Sequence, residues 1–141
     1  MEINILHKED NRKILRTLPD KSIDLILEDM PYGTTHCKFD YKVDLEQYWI
    51  ERLRVIKDNG VIALTAQQPF ATDVINSCRK HFRYEIIWEK TLVTGFLNAS
   101  KMPLRAHENI LVFYKNLPIY NPQKYKVEGK NIGRVTKQRT T

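Results

Sequence analysis

The 141 residues suffice for one domain with a buried core and are few for an enzyme assembled from two halves. Hydrophobic residues make up 42% and charged residues 28% of the chain, which excludes a disordered or fibrous protein, and no apolar run reaches the roughly 20 residues of a membrane span. The formal charge of +6 is unevenly placed: 16 Lys and Arg balance 16 Asp and Glu through Tyr114, and the surplus comes from Lys115, Lys124, Lys126, Lys130, Arg134, Lys137 and Arg139 against Glu128.

Residues 3–7 read as a short strand and residues 9–17 as a helix with Glu9 and Asp10 in its first turn. Leu18-Pro19-Asp20-Lys21-Ser22 is a turn. Residues 23–27 are mostly apolar, as in a strand buried on both faces, and lead into Glu28-Asp29-Met30-Pro31-Tyr32-Gly33. Beyond a polar loop, Leu45, Tyr48, Trp49, Leu53 and Ile56 recur at helical spacing behind Asp44 as N-cap, and Asp58-Asn59-Gly60 is expected to end that helix. Residues 61–65 read as a second buried strand. Pro69 opens a helix with Phe70, Val74, Ile75 and Cys78 on its apolar face. Residues 83–88 and 109–114 are two more strands, with a loop expected over 91–108. Trp49 and Trp88 read as core.

Strands alternating with helices argue an α/β sheet, mostly parallel. After Tyr114 the pattern fades into a basic run broken by Pro118, Pro122, Gly129 and Gly133, so the domain is expected to span 1–116 with a basic tail over 117–141. A basic arm beside a neutral domain suits a phosphate backbone; a solvated tail has the same composition. Met1-Glu2-Ile3-Asn4-Ile5-Leu6 lacks the pattern of a signal peptide, and Cys37 and Cys78 show no metal-ligand spacing, so a cytoplasmic setting is expected.

Ligands of open α/β sheets gather at the carboxyl ends of strands, which is where Asp29-Met30-Pro31-Tyr32 falls. Alone, such a tetrapeptide is usually a turn. The segment from Leu18 through Gly33, however, resembles the active-site segment of amino-methylating DNA methyltransferases, whose tetrapeptide usually reads Asp-Pro-Pro-Tyr. The resemblance continues through Arg54-Val55-Ile56-Lys57-Asp58-Asn59-Gly60-Val61-Ile62-Ala63-Leu64, Gln67-Gln68-Pro69-Phe70, Trp88-Glu89-Lys90, Asn98 and Pro103-Leu104-Arg105-Ala106-His107-Glu108-Asn109-Ile110-Leu111-Val112-Phe113-Tyr114. It covers residues 3–116 and implies a partial Rossmann-like, S-adenosylmethionine-dependent methyltransferase sheet with helices on both faces.

The resemblance also implies a chemistry. The exocyclic amine of adenine is a poor nucleophile until two acceptors on its hydrogens turn it toward tetrahedral geometry. Asp29 would supply one acceptor, and the carbonyl of Met30 or Pro31 the other. The base would be flipped from double-stranded DNA and stacked on Tyr32. Asp rather than Ser at the first position points to adenine. Met30 in place of the usual proline loosens the loop, so slower turnover is expected. Lys90, Asn98, Lys101 and Arg105 fall where the family's loops approach DNA, and Lys124, Lys126, Lys130 and Arg134 supply the basic arm. Asp10, after the first strand, is expected near the donor alongside Asp29.

Other residues fit blander roles. His107-Glu108 is half of a zinc motif without its second histidine, so no metal is expected, and His36 and Cys37 read as exposed loop. The donor-binding turn of this family, roughly Phe-x-Gly-x-Gly, has no counterpart among Gly33, Gly60, Gly95, Gly129 and Gly133. The family's order would put that half beyond residue 141. A fragment, a natural truncation and a split enzyme all fit, each with a sheet edge exposed to a missing half or to self-association. The alternative is a catalytically inactive nucleic-acid-binding remnant.

Overall fold

The computed structural model describes residues 5–33, 37–38 and 40–123. Helix α1 (Asn11–Thr17) begins at Asp10, whose carboxylate accepts from the Arg12 backbone N–H, so Asp10 caps the helix rather than sitting in its first turn. Residues 5–7 take no strand, in contrast to the sequence expectation. Strand β1 (Ile23–Asp29) follows, then helix α2 (Leu45–Val55), whose N-cap Asp44 accepts from the amides of Glu46 and Gln47. Strand β2 (Ile56–Ala66) leads to helix α3 (Phe70–Ser77), which is followed by strands β3 (Phe82–Thr94) and β4 (Arg105–Phe113).

The sheet order is β1-β2-β4-β3, with β1 parallel to β2 and β4 antiparallel to both of its neighbours. The parallel character therefore belongs to the β1–β2 pair. Asp58-Asn59-Gly60, expected to end a helix, lies inside β2, because α2 already stops at Val55. There the pairing shifts from Ile23↔Ile56 to Leu25↔Val61, which absorbs the extra residues. Gly60 is required at this point: a Cβ would lie 2.9 Å from the Asp24 carbonyl oxygen and 2.8 Å from the Ile56 side chain.

Among the described residues the helices cover one face. Ile26, Ile62, Leu64, Leu111 and Phe113 are buried there, and Trp49 of α2 lies 4.8 Å from the Phe113 ring while its indole N–H donates to Ser77 of α3 at 2.8 Å. The other face is open: Leu25, Leu27, Tyr84, Ile86 and Trp88 are each about half exposed or more. So β1 is buried on one face rather than two, and Trp88 is not core; its ring carries Lys90 Nζ at 3.9 Å from the centroid. The loop expected over 91–108 is narrowed to residues 95–104, its two ends being taken up by strands. β3 runs to Thr94 and β4 starts at Arg105, with a short 3-10 turn (Phe96–Asn98) near the tip. Because β2 pairs with β4 no further than Ala66↔Asn109, this hairpin overhangs the carboxyl ends of β1 and β2.

One polar cluster joins the sheet to α2. Arg52, with its side chain 4% exposed, donates to both carboxylate oxygens of Glu28 at 3.1 and 3.0 Å, and its guanidinium lies 3.8 Å from the Tyr48 ring centroid. The Tyr48 hydroxyl donates to the same carboxylate. Burial and then the neighbouring Glu28 charge hold the Tyr48 phenol far above its usual range, so it remains a donor. Removing one partner of such a pair strands a charge in low dielectric. Arg52→Ala is expected to lower the unfolding free energy by about 3 kcal/mol, measured by urea titration followed by tryptophan fluorescence. Arg52→Met combined with Glu28→Gln should lose less than Arg52→Ala alone; equal losses would mean the ion pair does not govern the site.

Candidate active site

Asp29 is the last residue of β1 and stands opposite Thr65 of β2. The Thr65 hydroxyl lies 2.5 Å from Asp29 Oδ1, and the Tyr32 hydroxyl lies 2.9 Å from Thr65 Oγ1 and 3.2 Å from Asp29 Oδ1. The Tyr32 ring stacks on Phe70 at 5.4 Å between centroids and an interplanar angle of 29°. Anchored through its hydroxyl and backed by a buried phenylalanine, this ring is held in place. Burial pushes the Tyr32 phenol up to about 12; the Thr65 hydroxyl opposes that shift, and the charges of Asp29 and Glu108 add to it.

The residue between acid and proline is fixed too. Met30 is 7% exposed and packs in the hydrophobic core, so burial supplies a restraint that a proline ring would otherwise give to the loop. Gly33 closes the turn with φ +65°, where its amide donates to Asp40 Oδ1 at 2.6 Å and a Cβ would press on the Lys42 backbone at 3.3 Å.

A cavity of about 490 Å³ opens beside the tetrapeptide. Its walls come from α1 (Asn11, Arg12, Arg16), from Asp29, Met30 and Pro31, and from α2 with the loop before it. Asp10 stands next to this wall with its carboxylate engaged: Arg12 binds it at 2.6 Å and, with the Arg12 backbone amide, lowers its pKa to about 2. The cavity falls within the size range of small-molecule sites.

The residues expected to meet DNA divide. Lys90 bonds Glu108 at 3.0 Å and Arg105 bonds Gln67 at 2.6 Å, while Gln67 donates to Glu108 at 2.7 Å, so these four form one chain of contacts at the root of the hairpin. Asn98 and Lys101 are exposed near its tip, beside the exposed Phe96 and Leu97. Lys124, Lys126, Lys130 and Arg134, and likewise His36, lie outside the described residues. Glu108 thus orders the hairpin root through Gln67 and Lys90. Sequence reading missed Thr65, Phe70 and Gln67 as parts of the site. Thr65 was legible in principle as the one hydroxyl in the run 61–65, but its pairing with Asp29 depends on register.

A family model described as DNA methylase and named for N6 and N4 methyltransferases matches residues 23–140. No curated protein matches the chain. Among solved structures, a DNA modification methylase of Thermus thermophilus, TTHA0409, is similar at 25% identity and a TM-score of 0.58, over 82% of this chain and 54% of that one. The same protein has been solved in complex with S-adenosyl-L-methionine. The structure of M1.HpyAVI with SAM superposes with a TM-score of 0.63 at 16% identity, covering 84% and 61% of the two chains. PvuII DNA methyltransferase, cytosine-N4-specific, gives 0.57 at 14%, covering 78% and 49%. The chain thus spans about half to three-fifths of the length of these structures. With a family match across most of its length and the same fold in these methyltransferases, the chain belongs to the DNA methylase family.

Proposed function

We propose that this chain carries the catalytic half of a DNA adenine-N6 methyltransferase that methylates an adenine flipped out of double-stranded DNA. The observation that carries the reading is the meeting, at one strand end, of a carboxylate anchored by Thr65 and a half-buried aromatic ring backed by Phe70, joined by the Met30-Pro31 backbone. Asp29 accepts one hydrogen of the target amine and a loop carbonyl accepts the other. That turns the nitrogen lone pair toward its electrophile. The new N–C bond would form as the methyl–sulfur bond breaks with its electron pair left on sulfur, and the surplus amine proton would pass through the hydrogen bond to Asp29 and on to water. Tyr32 stacks on the base, a contact worth about 1–3 kcal/mol. Asp rather than Ser at position 29 favours adenine over cytosine.

S-adenosylmethionine, when bound, supplies a methyl group on a cationic sulfonium. The cavity beside Asp29 fits such a donor in size and in the character of its walls. Among its lining residues Asp29 and Glu51, the latter also paired with Arg54, would complement the donor's positive centres, Arg12 and Arg16 its carboxylate, and Asn11 and Gln47 its neutral polar groups. Asp10 acts at one remove, by holding Arg12. In this reading the glycine turn typical of the family, which none of the five glycines of the sequence forms, would be supplied from a segment or partner pairing along the outer edge of β1.

Residues 117–141 begin the DNA-recognition region in this reading, with Lys124, Lys126, Lys130 and Arg134 on phosphates. Asn98 and Lys101 are the hairpin residues readiest for the backbone, since Lys90 and Arg105 would first have to leave Glu108 and Gln67. Among the described residues no helix is long and apolar enough to cross a membrane. The cytoplasm of a bacterium or a phage-infected cell is the setting this reading implies.

Methyl transfer from labelled S-adenosylmethionine to unmethylated DNA, with the product digested to nucleosides, tests the reading. N6-methyladenine is expected, and Asp29→Ala should lower the rate at least about 100-fold. Label in N4-methylcytosine would move the reading to cytosine. No label, with duplex binding retained, would favour the nucleic-acid-binding remnant.

The Tyr32 phenol gives a second test. A folded pKa above the unfolded value of about 10 leaves the stability it supports intact below pH 10, with loss as pH rises through about 12. At pH about 10.5 an ordinary tyrosine is more than half ionised, whereas Tyr32, followed by its ring 13C resonance, should remain neutral. A midpoint near 10 would show a solvated ring and rule out the anchored platform.

A further inference from the structure

We infer that Thr65 is a positioning residue for the transfer: it dedicates one oxygen of the Asp29 carboxylate to the protein and leaves the other for the substrate amine. The inference rests on the proposed methyltransferase reading and assigns a role to a residue outside the tetrapeptide. Thr65 is 9% exposed and sits on the strand next to β1, directly across from Asp29. A threonine hydroxyl has one proton to give, and at 2.5 Å from Asp29 Oδ1 it gives it there. Its lone pairs face the Tyr32 hydroxyl at 2.9 Å, so one side chain holds both the acid and the stacking ring.

The two carboxylate oxygens are thereby made unequal. Oδ1 takes the Thr65 proton at 2.5 Å and lies 3.2 Å from the Tyr32 hydroxyl, whose single proton is shared between Oδ1 and Thr65, whereas among the described residues no hydrogen bond is made to Oδ2. A carboxylate free to rotate would offer either oxygen at many angles. One pinned through Oδ1 presents Oδ2 in a single direction, as an acceptor must to orient a nitrogen lone pair. Thr65 touches neither substrate nor donor in this scheme and acts through Asp29 and Tyr32.

The test uses the whole chain with Thr65→Val, which keeps the shape and removes the hydroxyl, and Thr65→Ser, which keeps the hydroxyl. Urea midpoints report whether each variant folds. In the methyl-transfer assay Thr65→Val is expected to lower kcat about 10- to 100-fold, the range for one hydrogen bond to a charged group, with KM for DNA and donor changed less than about threefold. Thr65→Ser should recover most of the rate. Unchanged kcat in Thr65→Val, a loss confined to KM, or equal impairment in both variants would overturn the inference.

A second readout does not need turnover. The side-chain 13C resonances of Asp29 and Tyr32 should both move in Thr65→Val and stay near their wild-type positions in Thr65→Ser; if neither moves in Thr65→Val, the inference is wrong. Absence of methyl transfer by the wild-type chain would count against the activity reading alone. Silent resonances in Thr65→Val would count against Thr65 alone.

Discussion

Parallel strands have no hairpin between them to set their register, so β1 and β2 depend on side chains and on one close approach of backbone. Gly60 permits that approach, because any Cβ there would meet the Asp24 carbonyl oxygen and the Ile56 side chain. Lys57 adds an ion pair to Asp24 at 2.7 Å, and Lys21 reaches Asp58 at 2.7 Å. At the far end of the same pairing stand Asp29 and Thr65. The carboxylate, its hydroxyl partner and the tyrosine held by both all follow from a register decided several residues upstream.

The chain places two acids side by side on β1 and gives them opposite surroundings. Glu28 turns toward α2, where Arg52 and Tyr48 satisfy it in a mostly enclosed site. Asp29 turns the other way, to a hydroxyl and a phenol, and among the described residues no cation pairs with it. An arginine beside Asp29 would hold the carboxylate in a bidentate grip and block the amine. Glu28 keeps Arg52 occupied on the opposite face. The structural ion pair and the reactive acid are thus separated by the alternation of a strand rather than by distance.

Much of this was legible in the residues themselves. The helical recurrence of Leu45, Tyr48 and Trp49 behind Asp44 gave α2 its start, and the apolar runs around Ile26 and Ile62 gave β1 and β2 their places. The tetrapeptide stood out because its flanking segments matched in order. What failed was information that resides between strands. Residues 91–108 are polar and contain Gly95 and Pro103, so they look like a loop, yet cross-strand pairs such as Glu89↔His107 extend the hairpin into them. Trp88 looked like core because tryptophans usually are, but its strand lies at the sheet edge on the open face, under a lysine instead of a helix. Thr65 needed the register before it could be seen as anything but a strand residue.

The alternation along β1 also sets which kinds of genetic change the chain can absorb. Substitutions at Leu25 alter an open face and leave the strand's register where it was. Insertion of a single codon between Ile23 and Glu28 keeps the reading frame but turns everything beyond it to the opposite face of the sheet. Glu28 would then stand opposite Thr65, and Asp29 would be displaced into the loop. A glutamate there is still an acid, yet it is one methylene too long, and Arg52 would lose its counter-charge in the same event. The length of this strand is therefore guarded as closely as the identities of Glu28 and Asp29.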